Sequence, residues 1–278
     1  MGMKEKFPAR IHVLLAREAR YGVVIRRGPS KQTCIIGWNR KSDTFELSQW
    51  LKGRVYERRS DLSPNGRYMI YFAMNGKWTS ETKGSWTTIS KSPWMKAIAL
   101  FPKGDCWNGG GLYLDNRTYW LNDGYGHEVL QETSEVKRDT KYQPKENHGG
   151  ECPGVYYVRL QRDGWELKSV ENQGKWSDIT IFEKQLPKGW VLRKIAHSQV
   201  DSPKGKGCYW DEHILISRSG ENIERPNWEW ADWDEKRIVW ATNGCLHACS
   251  ISTGSKLNES KMLYDFNEME FQQVAAPY

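Results

Sequence analysis

The stretch Arg54–Ala73, RVYERRSDLSPNGRYMIYFA, decides the reading of the chain. Two β-rich runs, Arg54–Leu62 and Arg67–Ala73, flank Ser63-Pro64-Asn65-Gly66. Asn-Gly accepts positive φ at little steric cost and favours a tight reversal between antiparallel strands. Pro64 has no N–H for a ladder and falls where no ladder bond is needed. In the second run Tyr68, Ile70 and Phe72 alternate with Met69, Tyr71 and Ala73, so both faces are largely apolar. That suits a strand covered on both sides.

The same texture extends in both directions. Upstream, Arg10–Ala16, Tyr21–Arg27 and Gln32–Trp38 read as strands, broken at Glu18-Ala19-Arg20 and Gly28-Pro29-Ser30-Lys31, and Asp43–Leu47 follows as a fourth. Turn signals every eight to twelve residues argue an all-β chain. No window sustains a helical period, so almost no helix is expected. Downstream, Ser85–Ser90 follows a polar loop, and Met95–Phe101, between Pro93 and Pro102, reads as a buried inner strand. Lys103–Gly111 carries four glycines and must be a loop or a wide bulge. Residues 122–154 read as a polar surface insertion. Val155–Gln161 and Trp165–Lys168 are expected to pair through Asp163-Gly164.

Glu229–Trp233, Arg237–Ala241, Cys245–Ile251 and Lys261–Phe266 make one four-stranded unit. Met269–Ala276 then has no partner left in sequence. An echo links Thr44–Leu62 with Ile181–His197, each a short strand, a Lys-Gly corner and a longer strand. Repeats on this scale mark propellers and solenoids. The expected fold is one all-β propeller over residues 1–278, closed when the C-terminal strand pairs with the N-terminal blade. About twenty strands give five blades, or six if residues 95–190 hold two.

Composition supports a folded chain. Aromatics are 13%, with 15 Trp, enough for a sizeable core. No apolar run approaches the ~18 residues of a membrane span. The only early apolar run, Ile11–Ala16, ends at Arg17-Glu18, too short for an export signal. With that, the six dispersed cysteines read as free thiols, and the expected location is cytoplasmic, with no membrane partner. The net charge of +7 comes without long basic runs, so nucleic acid binding is permitted rather than indicated.

Asp61–Phe72, DLSPNGRYMIYF, resembles the strand-turn-strand of TolB-like and WD-repeat-like bacterial propellers, and Trp230-Ala231-Asp232-Trp233-Asp234 is similar in kind. The resemblance implies a fold, not a function, because such propellers include scaffolds, lectins and enzymes.

Three constellations bear on chemistry. Glu151-Cys152-Pro153 resembles the Glu-Cys-Pro motif of five-bladed retaining glycosidases of the invertase type, where the Glu is acid/base. That chemistry needs a second carboxylate about 5 Å away. The family supplies it from Asn-Asp-Pro-Asn-Gly, and here Ser63 stands in the Asp place of Leu62-Ser63-Pro64-Asn65-Gly66. Cys245, His247 and Cys249 share one face of a strand and form the metal candidate, set against buried thiols acting as small hydrophobes. The aromatics Trp86, Trp94, Trp107, Trp228, Trp230 and Trp233 fall near strand ends or loops, where they bind partners or fill gaps between sheets. Arg58, Lys96, Arg193, His197 and Asp232 are expected on inner strands facing a channel, and Asp105 in a binding loop. No Gly-x-Ser-x-Gly or phosphate loop is present, and no cofactor is implied. The leading expectation is a non-enzymatic scaffold for a protein partner. Carbohydrate binding or cleavage through Glu151 is the alternative, and nucleic acid binding the third.

Overall fold

The computed structural model describes residues 7–28, 31–124, 126–253 and 256–278. The turn expected at Gly28–Lys31 therefore lies partly outside the described residues, as does the start of the chain. Contact clustering gives two compact units. One holds residues 12–159 and 269–278, the other residues 8–11 and 160–268.

Every sheet runs its strands in sequence order. In the first unit, apart from Arg10 and Ile11, β1 (Arg10–Leu15), β2 (Tyr21–Arg27), β3 (Thr33–Asn39) and β4 (Thr44–Leu51) form one sheet. A second follows from β5 (Arg54–Leu62), β6 (Tyr68–Met74), β7 (Ser85–Lys91) and β8 (Ala97–Pro102). The third is smaller: β9 (Gly111–Tyr113) and β10 (Thr118–Leu121) are antiparallel, and β11 (Lys137–Arg138) adds in parallel. In the second unit, β12 (Glu166–Gly174), β13 (Ser177–Gln185), β14 (Val191–Gln199), β15 (Tyr209–Ile216) and β16 (Asn222–Arg225) form a five-stranded sheet. The final four, β17 (Trp230–Asp234), β18 (Arg237–Thr242), β19 (Cys245–Cys249) and β20 (Lys261–Asp265), close as the sequence predicts.

The Asn65-Gly66 turn forms as expected. Gly66 sits at φ +75 with its N–H on the Ser63 carbonyl, while Asn65 Oδ1 accepts from the Ser63 hydroxyl and the Arg67 N–H. Between β5 and β6 the register jumps from Tyr56↔Phe72 to Asp61↔Ile70. Residues 57–60 therefore leave the ladder in a wide bulge, which the alternation of the sequence did not reveal.

Four expectations need correction. Residues expected as a strand in 155–161 belong to helix α1 (Cys152–Arg162). Its buried stripe is Cys152, Val155, Tyr156, Arg159 and Leu160, the i, i+3, i+4, i+7, i+8 spacing of a helix face. Asp163-Gly164 is its C-terminal cap and not a hairpin turn. Gly164 N–H bonds to the Gln161 carbonyl and Trp165 N–H to that of Leu160, a Schellman pattern. Second, β8 is the last strand of its sheet rather than an inner one. Third, the echo holds in its first copy only: Lys52-Gly53 links two sheets, whereas Lys188-Gly189 lies in a 3-10 turn between β13 and β14, paired neighbours in one sheet. Fourth, Met269–Ala276 forms no strand and pairs with no blade. The head of the chain is instead fastened by side chains within the second unit, Ala9 N–H to Asn267 Oδ1 and Ile11 N–H to Glu229 Oε1.

A Cβ at Gly66 would come within 2.8 Å of the Tyr21 ring, at a φ that L residues disfavour. Gly66→Ala is expected to cost about 1–2 kcal/mol in urea unfolding. An unchanged midpoint would show that this turn does not set the hairpin.

Candidate functional site

A polar cluster of the first unit surrounds the β5 bulge. Glu57 Oε1 takes Arg27 Nη2 at 2.9 Å and Arg58 Nη1 at 3.1 Å. Burial pushes its carboxyl up, but Arg27, Arg58 and Arg54 together outweigh that and hold it below the usual carboxylate range. From α1, Arg159 donates to the carbonyls of Glu57 and Ser60 and, through Nη2, to His12 Nε2 at 2.9 Å. Arg58 and Arg159 both lie over the Tyr156 ring, each at 5.3 Å. Arg59 lies over Tyr56 and Phe72 and donates to the carbonyls of Cys106 and Asn108 at 2.7 and 2.6 Å. These guanidinium groups spend donors on backbone carbonyls and stack on rings. The cluster works as a lock on irregular backbone.

The glycines 109–111 serve the same packing. A Cβ at Gly110 would meet the Arg59 carbonyl oxygen at 1.9 Å and one at Gly111 the Trp120 carbonyl oxygen at 2.0 Å. Gly109 N–H already bonds to the Asn122 carbonyl and Gly110 N–H to Thr87 Oγ1. They are glycines because strands approach there, and those two donors are spent.

Thr87 also meets a histidine. Its Oγ1 lies 3.0 Å from His127 Nε2, and His127 Nδ1 lies 2.9 Å from Asp123 Oδ1, which in turn is held by Arg138. The order hydroxyl, imidazole, carboxylate is that of a nucleophile triad. Here, however, the Thr87 hydroxyl is wholly buried and already accepts Gly110 N–H. The relay therefore anchors the polar segment 122–154 to β7.

The second unit has its own interior network. Lys194 Nζ lies 2.8 Å from His213 Nε2 and 3.7 Å from Asp211, and His213 Nδ1 lies 2.8 Å from the Trp228 carbonyl oxygen. The Trp165 ring takes the ammonium groups of Lys184 and Lys194 at 5.0 and 4.8 Å, and Lys184 pairs with Asp232.

The expected site residues scatter among these environments. Trp228 and Trp230 are buried, with Trp228 stacked on Trp240 and Trp240 on His247. They fill the sheet and present no binding face. Trp86 is half-buried against the first unit's core, and Trp94 is half-buried after Pro93. Arg193 pairs with Glu183, and His197 stacks on Trp210 at 4.4 Å. Arg58 is buried in the β5 cluster. Lys96 is exposed and lies against Tyr278. Glu151 is half-buried one residue before α1, its carbonyl accepting Gly154 N–H. Cys245, His247 and Cys249 do not converge: Cys249 is buried, and His247 is committed to the Trp240 stack. Among the described residues, no group of three or more His, Cys, Asp or Glu side chains is placed to hold a metal ion. Nor is any helix there long and apolar enough to cross a membrane.

Three tryptophans are among the exposed large apolar side chains. Trp78 and Trp107 are 54% and 55% exposed, in the β6–β7 and β8–β9 loops. Ser85 joins the two loops, its Oγ donating to the Asp105 carbonyl and accepting Gly104 N–H, while Asp105 Oδ1 holds Trp107 N–H. The Trp78 ring lies on Gly84, next to Ser85. Lys83 pairs with Glu128, whose chain continues beside β8 into the exposed Val129 and Leu130. In the second unit, Trp176 is 70% exposed at the β12–β13 tip, where its carbonyl accepts the N–H of the exposed Val200. Sequence reasoning missed Trp78 and Trp176. The signal was there: each is a lone aromatic after Gly-Lys in a polar loop.

No protein-family model matches the chain, and no curated protein matches it significantly.

Burial lowers the His127 pKa below 6.5, and the Asp123 hydrogen bond only partly offsets that. The unfolded chain then binds the proton more readily than the folded one, so stability falls as pH drops from 6.5 through the folded pKa. His127→Gln is expected to flatten that slope of unfolding free energy against pH. An unaltered slope would remove His127 from the acid response.

Proposed function

We propose that the chain is a non-enzymatic scaffold for a protein partner, its meanders serving as propeller blades of the TolB-like, WD-repeat-like kind and its loops as the binding surface. One observation carries this reading: Trp78 and Trp107 stand exposed on adjoining loops joined through Ser85. Large exposed aromatics on rigid loops are the commonest anchors of protein interfaces. The rim, Lys83, Lys103, Asp105 and Glu128, is charged and paired, as interface rims are. Two interior clusters support the same reading, because Arg59 and Arg159 and the imidazole of His213 are engaged in holding backbone.

Trp78→Ala and Trp107→Ala are each expected to weaken partner capture by about 2 kcal/mol or more, roughly 30-fold, while the melting transition stays in place. The measurement is quantitative pull-down from native-host lysate with the full chain and each variant. Identical captured sets for the native and substituted chains would defeat the proposal.

A further inference from the structure

The segment 269–278 has no regular structure, yet it is held at three points on the first unit. Phe271 packs against Trp50 at 6.0 Å between ring centroids, with Lys52 Nζ 4.9 Å from its ring. The Val274 carbonyl accepts Gln49 Nε2 at 3.0 Å. The Tyr278 hydroxyl accepts Lys91 N–H at 3.1 Å and donates to the Lys96 carbonyl at 2.6 Å. The ammonium groups of Lys91 and Lys96 lie 5.2 and 5.3 Å from the Tyr278 ring, and Lys96 Nζ also bonds to the Tyr278 carbonyl.

The seat residues also make bonds that do not involve the tail. Gln49 Oε1 accepts the N–H groups of Met95 and Lys96, so one side chain ties β4 to the approach of β8 and still presents Nε2 outward. Ser48 Oγ adds a bond to the Pro93 carbonyl at 2.6 Å. Lys91 is positioned by Glu135 at 2.7 Å. The tail contributes two rings seven residues apart and lies between them largely exposed, without a ladder to β4.

We propose that this groove, from Gln49-Trp50 to Lys91–Lys96, is a binding site for an extended peptide, and that the chain's own residues 269–278 occupy it in cis. The chemistry of the occupant follows from the seat. It is an extended segment with an aromatic ring for Trp50 and Lys52, a backbone carbonyl three residues on for Gln49, and a tyrosine four residues further whose hydroxyl bridges Lys91 and Lys96. Three lysines beside the rings favour an acidic flank, as in Glu268-Met269-Glu270 here. A partner segment of this kind enters when the tail leaves. The inference is independent of Trp78 and Trp107 and fails or stands separately from them.

The test uses the full chain and a fluorescein-labelled peptide of residues 268–278. Phe271→Ala with Tyr278→Ala loosens the cis segment. Self-occupancy multiplies apparent affinity by the fraction of open groove, so this variant is expected to bind the peptide roughly 10–100-fold more tightly than the native chain in fluorescence anisotropy. Adding Gln49→Ala and Lys96→Ala to it should remove the gain. If the double variant folds poorly, Tyr278→Phe, which loses only the bridging hydroxyl, reads the same competition with a smaller gain. Equal binding by native and loosened chains, or no binding by a folded loosened chain, overturns the proposal.

Discussion

The bonds from Arg159 to the carbonyls of Glu57 and Ser60 hold the β5 bulge in place. Residues 57–60 step out of the β5–β6 ladder, which leaves polar backbone groups that need partners inside the protein. A guanidinium carries five donors in a rigid fork and answers that need from a distance. Reaching it requires a helix end aimed at the bulge, and α1 supplies one. Hydrogen bonds to a charged group are worth roughly 1.5–3 kcal/mol each, and the cost of orphaning buried carbonyls is of similar size. Helix and bulge therefore depend on each other. The stacking of Arg58 and Arg159 on Tyr156 completes the arrangement.

The second unit reaches rigidity by another route. Lys194, Asp211 and His213 are each buried on adjacent strands, and the imidazole accepts from the ammonium while donating to the Trp228 carbonyl. That assignment keeps His213 neutral with its proton on Nδ1. Trp165, from the residue just past the α1 cap, roofs both lysines. Buried polar groups with satisfied geometry fix one packing, which suits a body that presents loops rather than moves.

How much of this was legible depended on whether local chemistry or distant packing set the outcome. Asn65-Gly66, the four-strand runs at both ends of the chain and the glycine loop before β9 follow from turn chemistry and alternation, and they are read correctly from sequence. Helix α1 escaped because Arg159 occupies one of the five positions of its buried stripe and breaks the apolar signal. Residues 269–278 escaped for the opposite reason. Phe271, Val274 and Tyr278 are apolar enough to suggest a strand, but their spacing of three and four is not a strand's alternation. Trp228 and Trp230 looked like loop anchors, yet Trp230 pairs within β17 and Trp228 stacks on Trp240, so both are buried.

The distance along the chain between Tyr278 and its seat has a consequence for biosynthesis. Lys96 and Tyr278 stand 182 residues apart, whereas the first two sheets are complete once β8 has been made. At ribosomal speeds of about 5–20 residues per second, those 182 residues take roughly 10–40 s to emerge. For that interval Gln49, Trp50, Lys91 and Lys96 exist without the segment that covers them. A cellular factor that recognises them meets them first during translation.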